Sequence, residues 1–233
     1  MRETILKPSH LSVFNFARAF GLMKTPTPEE LLKTVEDLQK VQGDALIIGG
    51  LAVGHHGYER ATHDVDILYP NNAEFPLLRA LKKDFKIVLK ASNGWHHLEH
   101  RRTKVRLELI PEGGLTTYGF IPGPHVVGGE KGIISLVGLA WLKLVSGRGK
   151  DLVDLVELAK VKPQKMAAVT EKLPPELREK YESLLVQART EVKNDPGRIE
   201  NAQRAPDNAE ESPATYGARK RSARKRHKPV RKR

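Results

Sequence analysis

The sequence predicts an α+β (α/β) fold: a small mixed sheet flanked by helices, then C-terminal helices and a basic tail. Three observations predict it. Two apolar runs, Ala45-Leu-Ile-Ile48 and Ile67-Leu-Tyr69, have strand length and enclose Gly49-Gly50 and Asp64-Val65-Asp66. Apolar residues at helical spacing lie before them (Leu31, Leu32, Val35, Leu38) and after them (133–146, 150–161, 174–192). From Lys193 onward aliphatic and aromatic residues are scarce, so 193–233 reads as disordered, unable to offset its ordering entropy by burial.

Residues 1–24 hold Leu11, Val13, Phe14, Phe16 and Phe20 and suggest a helix, broken by Thr25-Pro-Thr-Pro28. Thr27 is placed to cap the next helix, with Pro28 first and Glu29 and Glu30 in its first turn; this helix ends near Gly43. A strand at 45–48 then leads through the glycines into a helix at about 50–57. A second strand covers 64–69, and Pro70-Asn-Asn72 starts a helix at 73–83. Residues 86–89 read as a short strand. Residues 95–98 and 104–110 read as an antiparallel pair turning at 99–103. The stretch 111–130 is rich in glycine and proline and reads as a loop, with a possible strand near Val126. Helices follow at 133–146 and 150–161, separated by Gly147-Arg-Gly149, and at 174–192. The resulting organisation is a helical segment at 1–42, a core at 43–130, a helical segment at 131–192 and a tail at 193–233.

With 233 residues, 39% hydrophobic and 29% charged, the composition is that of a soluble chain with a substantial core. No apolar run approaches the ~20 residues of a membrane span. The acid at Glu3 and the break at Pro8 make a poor signal peptide, and a cytoplasmic location is expected. The absence of cysteine excludes disulfides, thiolate metal sites and cysteine nucleophiles. The formal charge of +12 is localised: residues 219–233 hold ten Lys or Arg and no acid, and the remainder has 30 basic against 28 acidic residues. Such a tail adds affinity for polyanions without specifying what the folded part does.

Asp64 and Asp66, two apart on a strand, project to one side, with Val65 and Ile67 toward the core. Adjacent carboxylates repel unless a positive charge lies between them. Magnesium suits such a site, being a hard cation that shares its shell with substrate phosphates. Gly49 and Gly50, at a strand end opening a helix, allow close backbone approach to a phosphate. Together these features describe a nucleoside triphosphate site for metal-assisted in-line displacement. The histidines do not describe a zinc site, since His96 and His97 fall on opposite faces of their strand; His55 and His56 either pack or line the pocket. Trp95 reads as a core aromatic.

Gly49-Gly50…Arg60-Ala-Thr62-His-Asp64-Val-Asp66 resembles the signature of the DNA polymerase beta superfamily of nucleotidyltransferases. It is most similar to the small bacterial branch of minimal nucleotidyltransferases and abortive-infection type toxins. Lys143-Leu-Val-Ser-Gly-Arg148-Gly-Lys150-Asp151-Leu-Val-Asp154 resembles the later helical motif of that family, and the likeness spans about 43–161. The resemblance implies an NTP substrate and Mg2+ or Mn2+ bound by Asp64 and Asp66. It implies phosphate contacts from Gly49, Gly50, Arg60, Thr62 and Arg148, with Asp151 in the nucleotide site, and a Lys143 that reaches the phosphates. Glu108 stands where the family supplies its third carboxylate, usually aspartate. It is either a second metal ligand or general base, or an exposed acid paired with Arg106 or Arg101. The implied activity is transfer of a nucleoside monophosphate to an acceptor hydroxyl. The acceptor would be tRNA or other RNA, as for a toxin–antitoxin pair, or a protein or small-molecule hydroxyl. An inactive nucleotide- or RNA-binding relative is the alternative. A helical antitoxin-like partner is also implied.

Overall fold

A computed structural model describes residues 26–92 and 94–195. The helix expected before residue 25 and the basic tail lie outside the described residues. The chain forms a central mixed sheet flanked by helices, as its periodicity predicts. Helix α1 (Pro28–Gln39) starts with the expected cap: the Thr27 side chain accepts from the Glu30 amide while Glu30 accepts from the Thr27 amide. Then come β1 (Leu46–Ile48), α2 (Gly49–His55), β2 (Asp64–Tyr69), α3 (Glu74–Leu81), β3 (Phe85–Lys90), β4 (His96–His100) and β5 (Arg106–Pro111).

The segment expected to be a loop is more structured than its glycine and proline content suggests. It forms a hairpin, β6 (Leu115–Thr116) and β7 (Gly119–Phe120), then α4 (Pro124–Val127) and β8 (Gly129–Glu130). Val126 therefore lies in a short helical turn and not in a strand. Ile133–Ile134, expected to begin a helix, forms β9, and Ser135 caps the helix that follows, α5 (Leu136–Ser146). The apolar run hides this boundary, because periodicity does not separate a buried strand from a buried helix. Helices α6 (Gly149–Val161), α7 (Pro163–Ala167) and α8 (Pro175–Asn194) complete the described chain.

The strands order β3-β4-β5-β2-β1-β9-β8. β2 runs antiparallel to β1 and parallel to β5; β5 runs antiparallel to β4, and β1 parallel to β9. One face is mainly apolar: Ile47, Val65, Ile67, Leu107, Leu109 and Leu98 pack under Leu38 of α1 and Leu77, Leu78 and Leu81 of α3. Asp37 ties α1 to that face. Burial opposes its charge, but Lys33, Lys40 and Arg102 hold its carboxyl well below the usual range. The other face is divided along its length. Leu46, Ile48, Leu68 and Ile110 lie under α2 and the C-terminal helices, whose core includes Leu139, Leu144, Leu155, Met166 and Tyr181. Toward the start of β2 the same face presents Asp64, Asp66 and Glu108 instead of aliphatics, and the helices leave them half-buried.

Leu107 is fully enclosed at the centre of the sheet. Replacing it with alanine should lower unfolding free energy by about 2–5 kcal/mol, read as an earlier urea midpoint with unchanged slope.

Candidate active site

The strand–glycine–helix junction sets the geometry. Ile48 ends β1 directly opposite Asp66 of β2, and the chain then turns through Gly49 at φ +65°. A β-carbon at Gly49 would overlap the Asp66 carboxylate, and one at Gly50 would press on the Thr62 hydroxyl and the Arg60 guanidinium. Only glycine permits both the backbone conformation and this close approach. The two glycines thus let the acidic end of β2 lie directly on the turn.

On β2, Asp64 and Asp66 share the face that carries Leu68 further along. Parallel pairing sets Glu108 of β5 beside Asp66 and Arg106 beside Asp64. The Thr62 hydroxyl lies 3.4 Å from Asp64 Oδ1 and 3.3 Å from the Asp64 carbonyl, which it reaches as donor. Burial, followed by the charges of Asp64 and Glu108, pushes the Asp66 carboxyl up to about 7, with Lys150 and Arg148 only partly offsetting them. Glu108 is shifted the other way. A hydrogen bond from His97 lowers it against the effect of burial, with His97, Arg106 and Arg148 adding electrostatic help. His97 Nδ1 lies 3.5 Å from Glu108 Oε1. Of the arginines expected beside Glu108, Arg106 lowers it through its charge, and Arg101 turns away to the Lys82 carbonyl. Among the described residues, no three histidine or acidic side chains are gathered as a ready metal-ligand group.

The second motif folds into a lattice of ion pairs. Lys143 on α5 is buried, with its ammonium donating to Asp151 at 3.0 Å and Asp154 at 2.6 Å on α6. Arg60 reaches Asp154 from the loop before β2, with Nη2 at 3.0 Å from Oδ2 and Nε at 2.7 Å from Oδ1. Arg148 Nε and the Ser146 hydroxyl donate to Asp151, at 2.6 and 2.7 Å. Burial raises Asp151, but Lys143 and then Arg148 and Ser146 outweigh it and hold the carboxyl at about 2. Lys143 thereby clamps α5 to α6 inside the fold. Asp151 is likewise a clamp residue. Arg60 divides its position between the clamp and the Gly50–Thr62 contact.

Besides Arg106, cations near the carboxylates include Arg148 and Lys150, both at the exposed start of α6 and both acting on Asp66. Sequence reasoning singled out neither Lys150 for the carboxylate site nor His97 as the partner of Glu108. The signal for Lys150 was its position: it lies just after the Gly147 break, where a helix start projects side chains away from the packed interface. His56 packs, as one of its two readings held. Its Nε2 bonds to the Ile134 carbonyl at 2.8 Å, and burial pushes the ring down to about 4. His96 is buried against Glu74 on the opposite face from His97, and Trp95 packs against the helical core.

No protein-family model matches this chain, and no curated protein does. Among solved structures the chain is similar to the antibiotic-resistance factor ANT(2″)-Ia. The likeness covers 76% of this chain and 99% of that chain, at 14% identity and a TM-score of 0.40. At that distance the activity has to be read from the site itself. Among the described residues no helix is long and apolar enough to cross a membrane.

Two outcomes follow from these electrostatics. Lys143→Ala leaves Asp151 and Asp154 buried without their shared cation, and should cost about 3–5 kcal/mol of stability in denaturant titration. The Asp66 carboxyl rises from 3.8 to about 7 on folding, so its charge opposes folding above pH 7 and the penalty disappears as pH falls toward 4. With chelator present, Asp66→Asn should therefore melt higher than the wild type at pH 8, and the difference should vanish near pH 4.

Proposed function

We propose that this protein transfers a nucleoside monophosphate from an NTP to an acceptor hydroxyl with the help of a divalent cation. The observation that carries this is Asp66: a carboxylate enclosed against a glycine turn, beside two further carboxylates, with too little positive charge around it to ionise freely. Such a cluster is costly for a folded protein and is relieved by a hard cation. The donors fit: Asp64 and Asp66 offer oxygen ligands on one face, with Glu108 directly across from Asp66. They would hold Mg2+ or Mn2+, which when bound supplies Lewis-acid polarisation of the phosphate oxygens.

The chain's own residues do the rest. Gly49 and Gly50 allow the phosphates to approach the turn backbone. Thr62 orients Asp64. Arg148 and Lys150 face the side where charge builds on the leaving pyrophosphate, in place of the buried Lys143. In the transfer itself the acceptor oxygen bonds to the α-phosphorus, and the bond to the bridging oxygen breaks. Pyrophosphate leaves with that electron pair, and the acceptor proton passes to Glu108 or to water.

RNA, tRNA included, is the acceptor class best supported by the composition, because ten Lys or Arg in residues 219–233 form a dense phosphate-binding segment without aromatics. A toxin-like role with a helical antitoxin partner is the biological form this would take. A second reading, an inactive nucleotide- or RNA-binding relative, is favoured by one observation: Glu108 is engaged by His97 and not gathered with the aspartates.

Incubation with each α-labelled NTP, total RNA and Mg2+ should label an acceptor, and the Asp64→Ala/Asp66→Ala double variant should label nothing. Labelling that survived in the double variant, or NTP binding with no pyrophosphate released by the wild type, would refute the transfer reaction. Lys150→Ala should raise the KM for NTP about tenfold, as expected for a lost charged hydrogen bond. Removing residues 196–233 should weaken RNA use and flatten its salt dependence while leaving the KM for NTP unchanged.

A further inference from the structure

Glu108 lies between two neighbours at one register of the sheet. On one side, parallel pairing places Asp66 directly across from it. On the other, antiparallel pairing places His97 directly across. Side chains opposite one another on adjacent strands share a face and are within reach. A carboxylate at this point is repelled by Asp66 and attracted by the ring, and it sits toward the ring, with Nδ1 and Oε1 3.5 Å apart. The three carboxylates are accordingly not gathered.

The other histidines of β4 are differently employed. His96 and His100 point to the opposite face, where His96 meets Glu74 at 3.0 Å and His100 meets Asp37 at 3.3 Å and Thr103 at 2.8 Å. Both are sealed in, whereas the side chains of His97 and Glu108 are 36% and 31% exposed. The His97–Glu108 contact is therefore one that can open without disturbing the core. The ring meets the carboxylate through Nδ1, which donates when the ring is protonated or in its Nδ1–H tautomer.

We propose that His97 is a positioning residue that competes with a divalent cation for Glu108. In the cation-free site it holds Glu108 away from Asp64 and Asp66. Cation capture by the aspartates draws Glu108 across the strand gap and releases the ring. This rests on the reading of Asp64 and Asp66 as cation ligands. Metal affinity is then set partly by a residue that never touches the metal. The consequence is a third ligand that engages only once the first two are occupied.

The test is Mn2+ binding to the full chain, followed by the loss of the free-ion electron paramagnetic resonance signal. His97→Ala frees Glu108 and should tighten Mn2+ binding about three- to fivefold, the strength of a half-exposed pair. His97→Gln, whose amide still donates to Glu108, should restore wild-type affinity. Glu108→Gln should weaken binding, and adding His97→Ala to it should change nothing further. Unchanged or weaker binding in His97→Ala would overturn the proposal, as would tightening that persists without the Glu108 carboxylate. Asp64→Asn/Asp66→Asn separates the two levels. If that double variant loses Mn2+ while His97→Ala matches the wild type, only the role of His97 fails. If it retains wild-type affinity, the cation reading fails and the proposal falls with it.

Discussion

The constraint on which the rest of the structure depends is the contact between Asp66 and the glycine turn at Gly49. A strand bearing two acids on one face is ordinarily a solvated edge. Here it is the centre of a seven-stranded sheet, hydrogen-bonded on both sides and pressed onto the backbone of the preceding turn. The opposite face of the same strand, Val65 and Ile67, is fully buried and holds the strand in register. A one-residue slip would bury the acids and expose the aliphatics, so the apolar core fixes where the negative charge appears. That charge is offset in part by Lys150 and Arg148, and Glu108 is turned toward His97.

The ion-pair lattice behind the site answers a different need. Two short helices, α5 and α6, meet the loop before β2 through Lys143, Asp151, Asp154 and Arg60. Buried charges of this kind add little net stability relative to apolar packing, but losing one member is expensive. Their effect is to fix the relative placement of the start of α6 and the start of β2. That placement brings Arg148 and Lys150 close enough to Asp66 for their charges to act on it. Arg148 belongs to both assemblies, pairing with Asp151 and acting on Asp66 and Glu108.

Much of this was legible before the fold was known. Strand β2 matches its expected bounds, since its first four residues alternate and Pro70-Asn-Asn72 ends it. The capped start of α1 was legible because Thr27, Pro28 and Glu30 act locally. The misplaced elements are those whose identity is decided by distant partners. Ile133 and Ile134 form a strand because β1 offers a parallel edge at Ile47 and β8 pairs with them on the other side. The hairpin at 115–120 exists because Thr116 and Tyr118 bond to the Val145 carbonyl at the end of α5.

By itself, the sequence determined the mixed architecture, the two aspartates on one strand face, the glycines that adjoin them and the separation of a near-neutral body from a basic tail. Each follows from local periodicity, backbone preference or charge counting. Only the tertiary structure decided which charges meet. It buried Lys143 between Asp151 and Asp154, left Lys150 facing Asp66 and set His97 against Glu108. Pairing of that kind depends on strand register and helix docking between residues up to ninety-four positions apart. Burial then converts those pairings into energies that sequence spacing does not contain.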